Sequence, residues 1–216
     1  MTLLADVQAV HEDADLLVLQ KPAGLLCVPG RGPDKQDCLS ARAQQHWPGA
    51  LIVHRLDQAT SGLVLMARHI DAQRRLSHAF AERQVHKRYQ AVVWGLLAAQ
   101  EGAWNEINLP IAADWERRPL RVIDPAHGKP SLTRWRLLGH HPATGTSRIE
   151  LEPVTGRTHQ LRVHMAAVGH AILGDALYAP AEVQALAPRL LLHASHLAFA
   201  HPSNGEPLAL EWAADF

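Results

Sequence analysis

The sequence has few cysteines and no long apolar run, and both absences exclude classes of protein. Only two of its 216 residues are cysteines, Cys27 and Cys38, too few for a disulfide framework or a cysteine-ligated metal site. No apolar run approaches the length of about 18 residues that crosses a bilayer. The N-terminus has acidic residues and no basic segment, unlike a secretory signal peptide. We therefore expect free thiols and a cytoplasmic protein.

Cofactor fingerprints are also missing. The segment "PGRGPDK" is rich in glycine but lacks the spacing and the Lys-Ser/Thr of a phosphate-binding loop. His193 and His196 lie three apart in an apolar run, a spacing that suits core packing at least as well as a metal, and no third ligand is nearby. We therefore expect no cofactor and no bound metal.

The net charge is zero, but the charges are unevenly distributed. All 21 lysines and arginines lie between Lys21 and Arg189, together with only 14 of the 21 acidic residues. Basic residues are densest in residues 68–88 and 117–136. Such patches suit a nucleic-acid phosphate backbone, although solvated helix and loop faces give the same pattern.

Hydrophobic patterning predicts an α+β fold, because strands and helices mix without regular βαβ alternation. Strands are expected in "LLVLQ", "ALIVH", "GLVLMA" and "KRYQAVVWG", across residues 104–153, and near the C-terminus. Helices are expected at 38–46, at 69–84, within 156–170 with a stop at Gly169, and within 180–188. The residues expected to face inward in the two longer helices are Ile70, Leu76, Ala79, Phe80, Leu161, Met165 and Val168. No linker is evident, so we predict one domain over residues 1–216, with a mixed, mostly antiparallel sheet, flanking helices and a central cleft.

Three polar features stand out against this pattern. Asp57 lies in "HRLDQATSGL", between two apolar strands, where it is either a structural turn residue or a catalytic carboxylate. "GRTHQLRVH" contains Arg157 and Arg162, which would point about 140° apart on a helix. The motif is either a basic helix N-terminus on the surface, or one arginine meets RNA phosphate while the other turns inward to hold a carboxylate such as Asp57. Tyr89 follows two basic residues at a strand start and is either a core residue or a base-stacking residue.

Three long motifs, "HRLDQATSGLVLMA", "KRYQAVVWG" and "GRTHQLRVHMAAVGHAILGDALY", together resemble the RluA family of pseudouridine synthases. The likeness runs from about residue 15 to residue 216. It implies the pseudouridine synthase catalytic fold, with Asp57 as the catalytic aspartate, Tyr89 as the active-site tyrosine and Arg162 as the arginine that pairs with the aspartate. It also implies that Arg55 helps to fill the space left by a flipped uridine. No leading S4 RNA-binding domain is expected.

The resemblance is greatest to the short members of the family, which modify both 23S rRNA and tRNA. It implies stem-loop substrates, at position 746 of 23S rRNA and position 32 of tRNA anticodon loops. The reaction oxidises and adds nothing, so no cofactor is expected, and the enzyme is expected to be a monomer. RNA is expected to contact Arg55 and six further residues, namely Lys87, Arg88, Arg117, Arg118, Arg157 and His159. A non-catalytic RNA-binding or chaperone protein on the same fold is the alternative. A glycoside hydrolase is poorly supported because no second carboxylate accompanies Asp57.

Overall fold

The computed structural model describes residues 7–216. Its strands are β1 (Gln8–Glu12), β2 (Leu16–Lys21), β3 (Leu51–Ile52), β4 (Ser61–Ala67), β5 (His86–Trp94), β6 (Trp104–Asn108), β7 (Ile111–Ala113), β8 (Arg121–Ile123), β9 (Leu132–His141), β10 (Thr146–Pro153), β11 (Leu192–Ala200) and β12 (Pro207–Glu211). Its helices are α1 (Leu39–His46), α2 (Ile70–Ala81), α3 (Gln160–Ala167) and α4 (Ala181–Gln184). The α+β class is confirmed. None of the helices in residues 7–216 is long and apolar enough to cross a membrane.

The described chain forms two compact units. The first comprises the chain up to Lys87 together with residues 194–215, and the second comprises residues 88–193 with Phe216. The chain leaves the first unit within β5 and returns to it within β11. The single catalytic domain over residues 1–216 stays a prediction.

The first unit is built on strands in the order β1–β2–β4–β11, with β3 beside β4 and β12 beside β11. The β1–β2, β2–β4, β3–β4 and β11–β12 ladders are antiparallel. Every residue of β4 is buried, so the strand is covered on both faces. One face packs against α2 in a core whose fully buried leucines each contribute about 1.5–3 kcal/mol. This core includes Leu16, Val18, Leu63, Leu65, Ala72 and Leu76.

Helix α2 follows the expected amphipathic pattern except at its first residue. Its buried and half-buried apolar side chains are Ala72, Leu76, Ala79 and Phe80, at the spacing of one helical face. Ile70 is 49% exposed, so its predicted inward orientation is wrong. The reason is geometric. Each helical residue is rotated by about 100° from the one before it, so Ile70, two residues before Ala72, lies on the opposite face.

The second unit has strands in the order β5–β10–β9–β6 and a separate two-stranded pairing of β7 with β8. Helix α3 packs against β8, β9 and β10. Its residues from Gln160 to Met165 are all buried. Val168 is 40% exposed, so its predicted inward orientation is wrong. The helix ends at Ala167, and Gly169 turns the chain away with a φ of 86°, so the helical spacing no longer applies at Val168.

Candidate active site

Asp57 lies in the loop that joins β3 to β4, and hydrogen bonds hold the backbone on both sides of it. On one side the Leu56 N–H donates to Cys27 Sγ (3.2 Å). On the other side the Gln58 carbonyl oxygen accepts from the Gly24 N–H (2.8 Å), and the Gln58 side-chain amide donates to the Gly24 carbonyl oxygen (3.0 Å). Asp57 itself is half-buried. The backbone that carries this carboxylate is therefore fixed to the segment that follows β2.

Lys21 is fully buried at the end of β2, and its ammonium group is a further anchor of the same loop. The ammonium donates to three carbonyl oxygens, those of Pro22 (2.9 Å), Leu25 (2.7 Å) and Gln58 (3.0 Å). Burial lowers the pKa of Lys21 to about 8, while the neighbouring Cys27 and Asp57 groups act in the opposite direction. Asp57 therefore has a cationic neighbour within its own unit.

The two residues that begin the Asp57 motif have different environments. Arg55 is exposed, as an RNA-contacting residue requires. His54 instead accepts a hydrogen bond at Nε2 from the Leu65 N–H (3.0 Å), and its ring stacks on Phe80 with 4.5 Å between centroids. Burial lowers the pKa of His54 to about 3, and the charge of Lys87 adds to the effect. His54 is therefore a neutral structural residue at physiological pH.

Arg162, which was expected to hold a carboxylate, is buried in α3 and pairs with Asp175 in the same unit. Its Nε donates to Asp175 Oδ2 (2.8 Å) and its Nη2 donates to Oδ1 (2.6 Å). The two side chains are 4% and 1% exposed, so this is a buried bidentate ion pair. It uses two of the five N–H donors of the guanidinium. The pairing of Arg162 with Asp57 stays a prediction.

Tyr178 connects this ion pair to His159 and to β8. The guanidinium carbon of Arg162 lies 5.2 Å from the centroid of the Tyr178 ring. The Tyr178 hydroxyl lies 2.6 Å from Nδ1 of His159 and accepts a hydrogen bond from the Arg121 N–H (3.0 Å). His159 stands immediately before α3 with a left-handed φ of 58°. The structure therefore places His159, one of the predicted RNA-binding residues, beside Arg162.

Tyr89 and its basic neighbours lie on β5 and are all half-buried. Tyr89 is opposite Leu151 of β10 in the antiparallel ladder. The Lys87 ammonium lies 5.5 Å from the centroid of the Phe80 ring, and burial lowers the pKa of Lys87. The catalytic role of Tyr89 and the RNA contacts of Lys87 and Arg88 stay predictions.

The other predicted RNA-binding arginines lie outside α3. Arg157 precedes the first residue of the helix, so the angle of about 140° assumed between Arg157 and Arg162 on one helix does not apply. The Arg157 guanidinium donates to the Pro130 carbonyl oxygen at 3.4 Å. Arg117 and Arg118 are both exposed in the loop between β7 and β8.

Two polar residues of the "GRTHQLRVH" motif serve the fold of the second unit. The Gln160 side-chain amide donates to the Leu132 carbonyl oxygen (2.9 Å) and to Thr133 Oγ1 (3.0 Å). His164 Nδ1 lies 2.9 Å from the same Thr133 hydroxyl, and its Nε2 lies 2.9 Å from the Leu109 carbonyl oxygen. Burial lowers the pKa of His164, although the hydrogen bond to Leu109 opposes the shift. These contacts position α3, and with it Arg162.

One group among the described residues has the geometry of a metal site. Asp13, Asp15 and His201 offer ligand atoms that all lie within 4.8 Å of one another. Their side chains already have hydrogen-bonding partners, since Asp13 Oδ2 lies 2.8 Å from His11 and 3.2 Å from His201, and Asp15 Oδ1 lies 2.8 Å from His69. Burial raises the pKa of Asp13, but hydrogen bonds from His11, two backbone N–H groups and His201 outweigh it and lower the pKa to about 2. This hydrogen bonding accounts for the group without an ion.

Sequence reasoning missed two residues that support the site, Lys21 and Asp175. The sequence signal for Lys21 is a lysine that follows an apolar run, Leu16 to Leu19, and stands immediately before a proline. The sequence signal for Asp175 is that it is the only acid in the long third motif, which contains Arg157 and Arg162. A buried charge is stable only when it is paired or fully hydrogen-bonded.

Comparison with known proteins identifies a matching family. The family model for RNA pseudouridylate synthase matches residues 15–167, which include Asp57, Tyr89 and Arg162. The chain is 48% identical over 200 residues to the dual-specificity RNA pseudouridine synthase RluA of Pasteurella multocida (strain Pm70), covering 93% of this chain and 90% of that protein. It is 44% identical over 207 residues to the enzyme of the same name from Escherichia coli (strain K12), covering 96% and 93%.

Solved structures give the same result for the fold. Human RNA Pseudouridylate Synthase Domain Containing 1 matches with a TM-score of 0.81 and 30% identity, over 97% of this chain and 84% of that chain. Human RNA Pseudouridylate Synthase Domain Containing 4 matches with a TM-score of 0.73 and 24% identity, over 95% and 88%, which shows the fold alone. The predicted pseudouridine synthase fold is therefore confirmed.

Proposed function

Because this chain belongs to the RNA pseudouridylate synthase family, we propose that it converts uridine to pseudouridine in stem-loops of both 23S rRNA and tRNA. The enzyme is an isomerase, since the reaction neither adds nor removes an atom. The observation that carries the dual specificity is the identity of 44–48%, over more than nine-tenths of the chain, to enzymes named as dual-specificity. We propose position 746 of 23S rRNA and position 32 of tRNA as the targets, and a monomer in the cytoplasm as the working form.

Asp57 is the residue to which we assign the chemistry at the sugar. In one route its carboxylate bonds to C1′ as the C1′–N1 bond breaks, the uracil anion turns, and C5 displaces the carboxylate. In the other route Asp57 removes the C2′ proton as the same bond breaks, and the proton returns to C2′ after C5 bonds to C1′. In both routes C5 loses a proton and N1 gains one. The anchored loop and the buried Lys21 support either route, because they fix the backbone that carries the Asp57 carboxylate, and a fixed carboxylate stabilises positive charge that develops at the sugar.

Arg162 and Tyr89 are assigned supporting roles in the reaction. A guanidinium has five N–H donors, so the Asp175 pair is compatible with a second acceptor, for which we propose Asp57. The Asp175 pair would hold Arg162 in one orientation, which reduces the reorganisation needed during catalysis. We propose that Tyr89 packs on the uracil ring.

Arg55 and the exposed basic residues are assigned to RNA binding. The target base lies in a stacked loop and must be flipped out, at a cost of a few kcal/mol. Arg55 is exposed two residues before Asp57, a position that suits filling the gap left by the base. Lys87, Arg88, Arg157, His159, Arg117 and Arg118 are the residues that we propose contact the RNA.

The test is the Asp57→Asn variant, assayed by tritium release from stem-loop RNA labelled at uridine C5. We expect turnover to fall by on the order of 10³-fold or more, with RNA affinity unchanged, because the amide retains the shape but not the charge. Asp71→Asn is the matched control, since Asp71 is an exposed residue of α2 whose side chain is 70% exposed. An Asp57→Asn enzyme with turnover close to that of the wild type would contradict the assignment.

Dual specificity needs a separate experiment in cells. Pseudouridines in 23S rRNA and tRNA are mapped with and without the gene for this protein, and with the gene for the Asp57→Asn variant. We expect one site to disappear from each RNA class when the protein is absent and neither to return with the variant. Loss from one class alone would contradict the dual specificity while leaving the isomerase activity standing.

A further inference from the structure

We propose that Trp115 and Arg118, in the loop between β7 and β8, form a stacking site for an unpaired base of the RNA substrate. This inference rests on RNA being the substrate, and it goes beyond the proposed function by naming a base-binding site at residues 114–120, which we call the β7–β8 loop. Trp115 is 71% exposed, the highest value among the exposed large hydrophobic side chains of the described chain. An indole in water forgoes a large gain from burial, so a flat partner that covers Trp115 would gain apolar contact.

The β7–β8 loop is an ordered structure closed by hydrogen bonds. The Asp114 N–H donates to the Leu120 carbonyl oxygen (3.1 Å), and the Leu120 N–H donates to the Arg117 carbonyl oxygen (3.0 Å). The Asp114 carboxylate accepts from both the backbone N–H (3.0 Å) and the Nε (2.8 Å) of Arg117. These bonds fix the backbone on both sides of Trp115, so a base that stacks there does not have to order the loop.

Arg118 makes the exposed indole suitable for a nucleobase. Its guanidinium carbon lies 4.0 Å from the centroid of the Trp115 ring, in a cation–π contact. Because Trp115 stays mostly exposed with Arg118 in place, most of the indole is accessible to a second flat partner. Unpaired RNA bases are recognised by stacking on aromatic rings and on guanidinium planes, and the positive charge also suits the adjacent phosphate.

The β7–β8 loop is joined to the residues that support Arg162. Strand β8 begins at Arg121, whose N–H donates to the Tyr178 hydroxyl (3.0 Å). The Tyr178 ring in turn lies over the Arg162 guanidinium, which pairs with Asp175. An RNA loop held at Trp115 would therefore be held by an element that is hydrogen-bonded to Tyr178, whose ring contacts the guanidinium of Arg162. This continuity favours RNA over a protein partner for the exposed tryptophan.

The test compares RNA binding in the catalytically inactive background, so that it does not depend on turnover. We expect Asp57→Asn/Trp115→Ala to bind a stem-loop RNA on the order of 10- to 100-fold more weakly than Asp57→Asn, the loss expected for one stacked base. Trp115→Phe should keep most of the affinity. Trp94→Ala is the control, because Trp94 is also exposed (41%) but lies on β5. A blunt RNA duplex without unpaired bases should bind all these variants equally.

Two further readouts separate stacking from other roles of Trp115. The slope of binding affinity against salt concentration should be unchanged in Trp115→Ala, because stacking releases no counterions. In the active background Trp115→Ala should raise KM and leave kcat close to that of the wild type.

Unchanged stem-loop affinity in Trp115→Ala would overturn the proposal, as would equal weakening of duplex binding. A concentration-dependent oligomer that Trp115→Ala dissolves would also overturn it, since Trp115 would then be a protein contact. None of these results depends on whether Asp57 is catalytic.

Discussion

At the scale of single residues, burial divides the basic side chains into those that support the site and those that face solvent. Lys21 and Arg162 are buried, and each has acceptors that satisfy its charge, three carbonyl oxygens for Lys21 and the Asp175 carboxylate for Arg162. Arg55 and Arg118 are exposed and therefore accessible to phosphate. The same residue types thus serve folding in one place and RNA binding in another, and burial distinguishes them.

His54, in the Asp57 motif, is also a basic residue that serves the fold. Its lowered pKa predicts that the stability of the protein depends on pH. Its pKa is about 3 in the folded protein against an ordinary value of 6.5, so the unfolded chain binds a proton that the folded chain does not bind between these values. The contribution of the neutral His54 to the free energy of unfolding is therefore fully present above pH 6.5. It is lost as the pH falls toward 3, with a slope of about 1.4 kcal/mol per pH unit.

The His54→Gln variant tests this dependence. Gln keeps an acceptor for the Leu65 N–H but does not titrate, so the free energy of unfolding should fall less steeply than in the wild type between pH 6.5 and 4. The measurement is urea unfolding at several pH values for both proteins. Lys87 lies against the neighbouring Phe80 ring in both proteins, so its effect is common to both curves. Equal slopes would show that His54 is not the titrating group.

At the scale of elements, the close approach of β4 to β11 requires a glycine just after the Asp57 loop. Gly62, the second residue of β4, has a φ of 116°, which side chains other than glycine rarely adopt. A Cβ there would overlap the backbone of Ala194 in β11. The glycine of "QATSG" is therefore required by the packing of β4 against β11.

The Gly62→Ala variant should lose at least about 2 kcal/mol of unfolding free energy, because it combines a strained φ with a backbone overlap. Gly139→Ala is the control, since Gly139 lies in β9, has no neighbouring atom within 4 Å of an added Cβ, and should change stability little. Chemical denaturation of the two variants measures the difference. Similar stabilities for both variants would contradict the close approach of β4 to β11.

Helix α3 shows why an amphipathic reading of an element is incomplete. The prediction that Leu161 and Met165 face inward is confirmed, since both are buried. Gln160, Arg162 and His164 are buried as well, and each is hydrogen-bonded to a neighbouring segment. A buried polar residue and an exposed one look alike in sequence, because burial depends on partners from β9 and from the 175–178 turn.

At the scale of the whole molecule, the lack of cofactor motifs in the sequence leads to a prediction about metal removal. Dialysis against a chelator should leave tritium release from a stem-loop RNA and the unfolding midpoint unchanged, because the reaction needs no redox or Lewis-acid group. The only candidate ligand group in residues 7–216, that of Asp13, Asp15 and His201, is already held by hydrogen bonds. The assay uses monovalent salt to keep the RNA folded. A loss of activity that Zn²⁺ restores would show that this group binds a metal.

The sequence alone was sufficient for the α+β class, for most helix and strand positions, and for the family, because these follow from local patterns and from long contiguous motifs. It also singled out Asp57, whose local context is contiguous in the chain. It did not reveal Lys21 as an anchor of the Asp57 loop or Asp175 as the partner of Arg162. Those contacts join residues 37 and 13 positions apart. Only the tertiary structure decided which charges are buried and paired and which, like Arg118 on Trp115, face solvent, because burial is a property of the folded surroundings and not of the residue.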